Sequence, residues 1–206
     1  MGGSGSGARG IHHCLYRVFD GKPLGRGAMK TRIFGLCLLA VGAATLPTSP
    51  ARADITPKDV QVMARALGFT EKPPTGEVNI GIVFAPGNPQ SAKEADDLKT
   101  LMGTGLKAGN LTLKPVLVKI DDLGSAGDVA AFLLTDGVGA DGAKLAAATK
   151  TKQKPCVTID MAQVQSGACV MGIKSEPKVE IVVNKAAAAD SGVSFAASFR
   201  MMITEL

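Results

Sequence analysis

Six strand-sized apolar runs, separated by segments of helical period, constrain this chain more than any other feature. They span residues 78–85, 111–120, 128–134, 155–159, 168–173 and 179–183. Between them, Thr56 and Pro57 open a helix expected over 54–69, with Val60, Met63, Ala64 and Leu67 recurring on one face. Ser91, with Glu94 three residues on, reads as the capping box of a second helix running to about Met102. A third helix is expected over 143–150, a helical turn over 161–165, and a closing helix over 187–204 with a break at Ser191-Gly192. Strand–helix alternation through residue 160 requires a parallel sheet covered by helices, because parallel neighbours need a crossover connection. Glu176-Pro177-Lys178 is short enough to join the last two runs as a hairpin. The expected fold class is therefore α/β: a single domain, a mostly parallel sheet with helices on both faces, a C-terminal antiparallel hairpin and a closing helix.

Residues 1–53 read differently. Lys30 and Arg32 precede an apolar run, Ile33 to Ala44, that is too short to span a bilayer, and Ala51-Arg52-Ala53 offers small residues where a signal peptidase reads them. Residues 29–53 are expected to be a secretory signal peptide cleaved after Ala53, which places the mature protein in the periplasm with no membrane insertion of its own. Residues 1–28, which begin MGGSGSG, are expected to be a non-native extension or a mis-called start. The basic balance of the sequence belongs to this region. Residues 54–206 hold 16 Lys/Arg against 17 Asp/Glu, with only Lys150, Lys152 and Lys154 as a short basic cluster, so no nucleic-acid partner is expected.

Both His residues and the single Tyr also fall before residue 54, and Trp is absent. That excludes His-based triads, His general bases and imidazole metal sites from the expected mature chain. Two cysteines remain there, Cys156 and Cys169, on neighbouring expected strands. In an exported protein an even pair favours a disulfide, and two unpaired buried thiols are the alternative.

Residues 135–144, TDGVGADGAK, carry Gly137, Gly139 and Gly142 at dinucleotide-binding spacing between an expected strand and an expected helix, with Asp160 further on. Three features argue against that reading. The fingerprint belongs on the first strand of its domain and here follows the third. Asp141 stands at the helix start, where a pyrophosphate would sit, and is expected to cap that helix itself; Asp136 adds a second repelling charge. An exported chain also folds where nicotinamide nucleotides are scarce. The stretch is read as a Gly-rich strand-to-helix turn, and no cofactor is expected. Ligands of open α/β sheets bind outside the carboxyl ends of the strands. Asn88, Asp122, Asp136 and Asp160, together with Asp121, fall there, a candidate polar crevice that, without His, would take at most a weakly held cation or a polar ligand.

The C-terminal stretch KPCVTIDMAQVQSGACVMGI, followed by KVEIVVNKAAAADSGVSFAASFRMMI, resembles the YfiR-like family of exported bacterial proteins. The shared order is a strand ending in Asp160, a glycine approach at Gly167, a strand ending in Asn184, an Ala-rich turn at Ala187-Ala188, then Gly192-Val193 and Phe195. The overlap covers most of residues 78–204 and is strongest over 155–204. The chain departs from the family at Ala196 and Ala197, where paired Ser is usual, and at Arg200, where an apolar residue is usual. The resemblance implies a non-catalytic periplasmic α/β protein, often a homodimer, that restrains an inner-membrane signalling protein such as a diguanylate cyclase. Redox control is implied with it, for which Cys156 and Cys169 would serve. Phe195, Phe199 and Met202, near one face of the expected closing helix, are the candidate partner or dimer surface. A second stretch, VNIGIVFAPGNPQSAKEADDLKTLM, looks like the first strand–loop–helix of exported substrate-binding proteins of transporters. A small-ligand-binding protein related to one lobe of such a protein is the alternative function.

Overall fold

Thr56 begins the first helix by closing a reciprocal cap. Its hydroxyl accepts the Asp59 N–H, and the Asp59 carboxylate takes the Thr56 N–H at 2.8 Å. This cap lies near the start of the computed structural model's described region, residues 54–206. The expectations for residues 1–28 and 29–53 lie outside the described residues. After α1 (Pro57–Leu67) come β1 (Gly76–Phe84), α2 (Pro89–Met102), β2 (Leu106–Ala108) and β3 (Leu111–Lys119). A 3-10 segment over 120–125 leads to β4 (Ala131–Leu134), and a second over 139–141 leads to α3 (Gly142–Lys152). The chain continues through β5 (Cys156–Thr158), α4 (Met161–Gln165), β6 (Met171–Lys174), β7 (Glu180–Val183), α5 (Lys185–Asp190), α6 (Ala197–Arg200) and β8 (Thr204–Glu205).

The eight strands form one sheet in the order β2-β3-β1-β4-β5-β6-β7-β8. From β3 to β6 all pairings are parallel, β7 turns antiparallel against β6, and β8 lies parallel to β7. The α/β class, the parallel body and the C-terminal hairpin are as the sequence implied. Side-chain alternation divides the core. Ile80, Ile82, Ala131, Leu133 and Val157 pack with α1 and α2 on one face, and Val83, Phe132, Leu134 and Cys156 pack with Leu123 and Leu145 on the other. Strands buried on both faces read as continuous apolar runs, which is why they were legible.

Three local expectations are corrected. The N-cap of α2 is Asn88, whose side chain accepts the Gln90 and Ser91 N–H groups; Ser91 sits inside the first turn and is buried. Asp141 stands at the N-cap of α3 but makes no capping bond, and pairs with Lys144 at 3.0 Å. The closing helix is not continuous. Asn184 caps α5 through the Ala187 N–H, and Gly192, at φ +63°, takes the left-handed turn that ends it. The next residues are then drawn into extended pairing with the segment after α1: Glu71 donates to Ser194, Ala196 donates to Phe69, and Thr70 bridges Phe195. That pairing takes the backbone groups a helix would need.

It also buries the aromatics proposed as a partner surface. Phe195 and Phe199 are only 8% and 3% exposed, and Phe199 stacks on Phe69 with ring centroids 5.0 Å apart. Of the three expected surface residues only Met202, 66% exposed, faces solvent. Cys156 and Cys169 form a disulfide, with Cα atoms 5.3 Å apart across the β5–β6 boundary and both side chains buried. Replacing both by Ser should lower unfolding free energy by about 3 kcal/mol, since the bond closes a short loop of 13 residues' separation. Urea denaturation of the two forms measures the difference.

Candidate functional site

The parallel strands follow the order β3-β1-β4-β5-β6, so the chain runs from β1 out to β3 on one side and then returns past β1 to β4 on the other. A doubly wound sheet opens its binding crevice at that switch point, outside the carboxyl ends of the strands. Here those ends are the loop at Ala85–Asn88 and the turn at Thr135–Val138. A buried polar cluster joins them. Thr135 Oγ1 lies 2.7 Å from Ser91 Oγ and 3.0 Å from the Val83 carbonyl, and Ser91 Oγ accepts the Ala85 N–H at 2.9 Å. One turn further along α2, Glu94 Oε2 accepts the Asp136 N–H at 2.6 Å.

Glu94 is the chemical centre of this region. It is 5% exposed, and its second oxygen, Oε1, is buried without a hydrogen bond among the described residues. Burial pushes its carboxyl above the ordinary range. The backbone N–H groups of Asp136 and Ile55 oppose that by favouring the charged form, and the nearby Asp136 and Asp54 carboxylates reinforce it. Glu94 lines a cavity of about 280 Å³ between the start of α1 and the outer side of α2, with Asp54, Gln90, Lys93 and Asp97 as its polar walls and Ile55, Leu98 and Leu101 as its apolar ones. Sequence reasoning assigned Glu94 to a capping box. The residue is the sixth of a helix whose cap lies further upstream than expected, and only the fold brings it against the β4 turn.

The four residues expected to form a crevice all follow strands at this same edge, but they do not converge on one cavity. Asn88 is spent on capping α2. Asp122 is exposed within the 3-10 segment after β3. Asp136 presents its N–H to Glu94 and accepts the Gly137 N–H on its own carboxylate. Asp160 caps α4 through the Ala162 N–H and accepts from the Gln163 amide. The Gly-rich turn is packed by protein at each glycine. Gly137 has φ +83°, and a Cβ there would collide with the Asn88 side-chain amide. A Cβ on Gly139 would lie 3.3 Å from Gln163 Nε2, and one on Gly142 would lie 2.9 Å from Ala168 Cβ. The spacing thus answers to turn geometry and close packing.

A second hollow, of about 500 Å³, opens at the amino ends of β1, β4 and β5, between Thr70–Val78, Asp128–Ala130 and Gln153–Pro155. Several of its polar groups are paired within the chain: the Asn79 amide donates to the Asp128 carbonyl, Lys154 lies 3.4 Å from the Asp128 carboxylate, and Lys114 pairs with Glu77. Among the described residues no group of three or more His, Cys, Asp or Glu could hold a metal ion, and no helix is long and apolar enough to cross a membrane.

No protein-family model and no curated protein matches the chain. Solved structures do. An ABC domain in complex with L-Trp from Streptococcus pneumonia is 12% identical with a TM-score of 0.50, covering 71% of this chain and 60% of that one. A conserved domain protein from Vibrio cholerae is 17% identical with a TM-score of 0.50, covering 74% and 61%. The ligand-free, open form of a substrate-binding protein with adhesive properties from Clostridium difficile is 12% identical with a TM-score of 0.50, covering 72% and 58%. The chain spans about three fifths of the length of each of these structures. At such identities the likeness shows the fold alone, an α/β domain.

Two outcomes follow from this geometry. Gly137→Ala should destabilise the fold by about 2 kcal/mol, through a left-handed backbone and the Asn88 collision, read as a lower urea midpoint at unchanged slope. Glu94→Gln should be at least as stable as the wild type at neutral pH. Its oxygen still accepts the Asp136 N–H, and no charge is buried near Asp54 and Asp136. Because the folded-state pKa of Glu94 is raised, wild-type stability from this group is fully present below the ordinary carboxylate value of about 4.3 and is lost as pH rises through the folded value. The advantage of Glu94→Gln should therefore grow with pH over that window and vanish on its acid side, measured by denaturation at a series of pH values.

Proposed function

We propose that this chain is an exported binding protein built on one substrate-binding lobe, taking a small ligand at the carboxyl edge of its sheet and performing no catalysis. The observation that carries this reading is the hollow of about 280 Å³ between α1 and α2, which has both polar and apolar walls and is lined by Glu94, the residue that accepts the Asp136 N–H from the β4 turn at the topological switch point. Such a combination of an apolar hollow with few placed polar groups is what small-ligand sites use. The fold supports the same reading, since one solved neighbour holds L-Trp and another is a substrate-binding protein. The expected leader at residues 29–53 fits a periplasmic place of work. A single lobe would close on its ligand through local side-chain movement or against a partner, because no second lobe lies within residues 54–206.

The experiment is native mass spectrometry of the protein purified from the periplasm of cells expressing the full sequence. A co-purifying small molecule, released on denaturation and raising the melting temperature when added back, is the expected result. Ligand at about 100 times its Kd would add about 2.7 kcal/mol. A chain with no bound species and no thermal response to a metabolite extract overturns the reading.

A second reading keeps the YfiR-like resemblance: restraint of an inner-membrane signalling protein by contact, as a homodimer, under redox control. The exposed side chains of Met201 and Met202 beside Leu206, at the β8 edge, support it. Cross-linking in intact cells that recovers one inner-membrane signalling protein, with recovery altered by the Cys156→Ser/Cys169→Ser double variant, would favour it over ligand binding.

A further inference from the structure

The hollow at the amino ends of the strands opens where the sheet is incomplete. On its β3 side β1 is paired from Gly76 onward, but its register with β4 begins only at Ile80, opposite Ala131. The carbonyls of Asn79 and Val83 both face the β4 side, accepting the Ala130 and Thr135 N–H groups. The backbone groups of a strand change side at each residue, so the Glu77 N–H and C=O, two residues before Asn79, face that side as well. The chain offers them no partner. The segment before β4 turns aside at Asp128, whose carbonyl accepts from the Asn79 side-chain amide. Among the described residues no backbone hydrogen bond reaches Glu77 on that side. One donor and one acceptor at strand spacing therefore stand open on the wall of a hollow of about 500 Å³.

The rest of the lining fits the same kind of partner. The Glu77 and Asp128 carboxylates are matched by Lys114 and Lys154. Glu71 and Lys72 are left as unmatched charges of opposite sign, their side chains making no hydrogen bond or ion pair among the described residues. The Gln153 amide is likewise unpaired. It enters from a left-handed residue, φ 51°, and lies over Gly192, where a Cβ would come within 3.3 Å of it. Val78 and Val193 add apolar surface. No aromatic ring lines the hollow to stack on a base or a sugar, and charges of both signs do not favour a phosphate.

We propose that this hollow binds a short free peptide in extended form, its main chain paired with the Glu77 N–H and C=O and its end charges answered by Glu71 and Lys72. Strand addition of this kind draws affinity from main-chain hydrogen bonds. The site lies at the opposite edge of the sheet from the cavity beside α2 and is independent of it. An aliphatic zwitterion carries the end charges but has no peptide group to pair with the strand.

Three probes separate these contributions: trialanine, its N-acetylated and C-amidated form, and ω-aminooctanoate, which has the same length and end charges without peptide groups. Each is titrated into the isotope-labelled protein and followed by amide chemical shifts. Trialanine should give saturable shifts at Glu77, Asn79 and Gln153 with a Kd near or below about 1 mM, the Glu77 N–H moving downfield as it gains an acceptor. ω-Aminooctanoate should bind at least tenfold more weakly, and the capped peptide should also bind more weakly than the free one. Glu77→Pro removes an N–H that the sheet does not use, at the start of a strand where proline is tolerated. It should bind trialanine at least tenfold more weakly than Glu77→Ala, which loses the same carboxylate and keeps the N–H. If Glu77→Pro does not fold, the Glu77 shift in the wild-type protein decides the same point. Lys72→Ala should weaken trialanine and leave the capped form unaffected. Equal affinity for ω-aminooctanoate, or shifts that bypass Glu77, overturns the main-chain pairing. Equal affinity for the capped peptide overturns a free peptide as the ligand. No saturable shift with trialanine overturns the site altogether, while the carboxyl-edge reading keeps its own test, since binding there would move Ile55 and Asp136 instead.

Discussion

The pair of buried hydroxyls, Ser91 and Thr135, holds together the part of this molecule on which the rest depends. They lie 2.7 Å apart and satisfy the last backbone groups of β1, the Val83 carbonyl and the Ala85 N–H, where the strand stops pairing and the chain turns into α2. Without Ser91 the Ala85 N–H would lose its partner, at a cost of about 1–3 kcal/mol, while the Val83 carbonyl would keep the Thr135 N–H. Through them α2 is locked to the turn after β4, across the point where the sheet's connections reverse direction. Glu94 extends the same seam by one helical turn. Its position over the Asp136 N–H is a consequence of the hydroxyl pair, and its buried carboxylate in turn defines the cavity beside it.

The two ends of the sheet are managed differently. At the β3 side a short antiparallel strand, β2, covers the edge. At the other, the chain passes through β7 and returns as the two residues of β8, with Lys185 donating to the terminal carbonyl of Leu206 and Leu206 donating to Val183. The disulfide lies between these ends, on the face packed by α3. β5 has three residues and pairs with β6 at only two positions, so the covalent link reinforces a short parallel junction of the sheet. That placement accounts for a structural role for Cys156 and Cys169, whatever regulation is added to it.

The aromatic cluster of Phe69, Phe195 and Phe199 shows how far a residue pattern can mislead about surface. Spaced on an assumed helix, Phe195, Phe199 and Met202 share a face, and an apolar face at the end of a chain suggests a partner. The segment is extended at Phe195 because it pairs with Phe69–Glu71, so the two aromatics turn inward onto Phe69 and the methionines outward. The signal for this was Gly192, a break in the pattern, but the partner segment lies more than a hundred residues earlier and nothing local announces it.

What the amino-acid sequence determined by itself was the class of fold, because β1 and β4 are buried on both faces and must therefore be continuous apolar runs, and because parallel neighbours require the intervening helices. It also excluded imidazole chemistry from residues 54–206 and favoured a pairing of the two cysteines left there, which the structure shows. It could not reveal β2 or β8, which are too short to show a period, and it misplaced the start of α2, since Asn88-Pro89 and Ser91 both carry capping signals and only the burial of Ser91 against Thr135 decides between them. The candidate site belongs wholly to tertiary structure. Asn88, Asp122, Asp136 and Asp160 were legible as strand-end residues but are absorbed into caps and turns, while Glu94, an ordinary helical glutamate by its neighbours in sequence, becomes a buried acid because β4 brings the Asp136 N–H to it from 42 residues away. Helix and strand periods are written in local sequence; which polar group loses its water is set by what the fold packs against it.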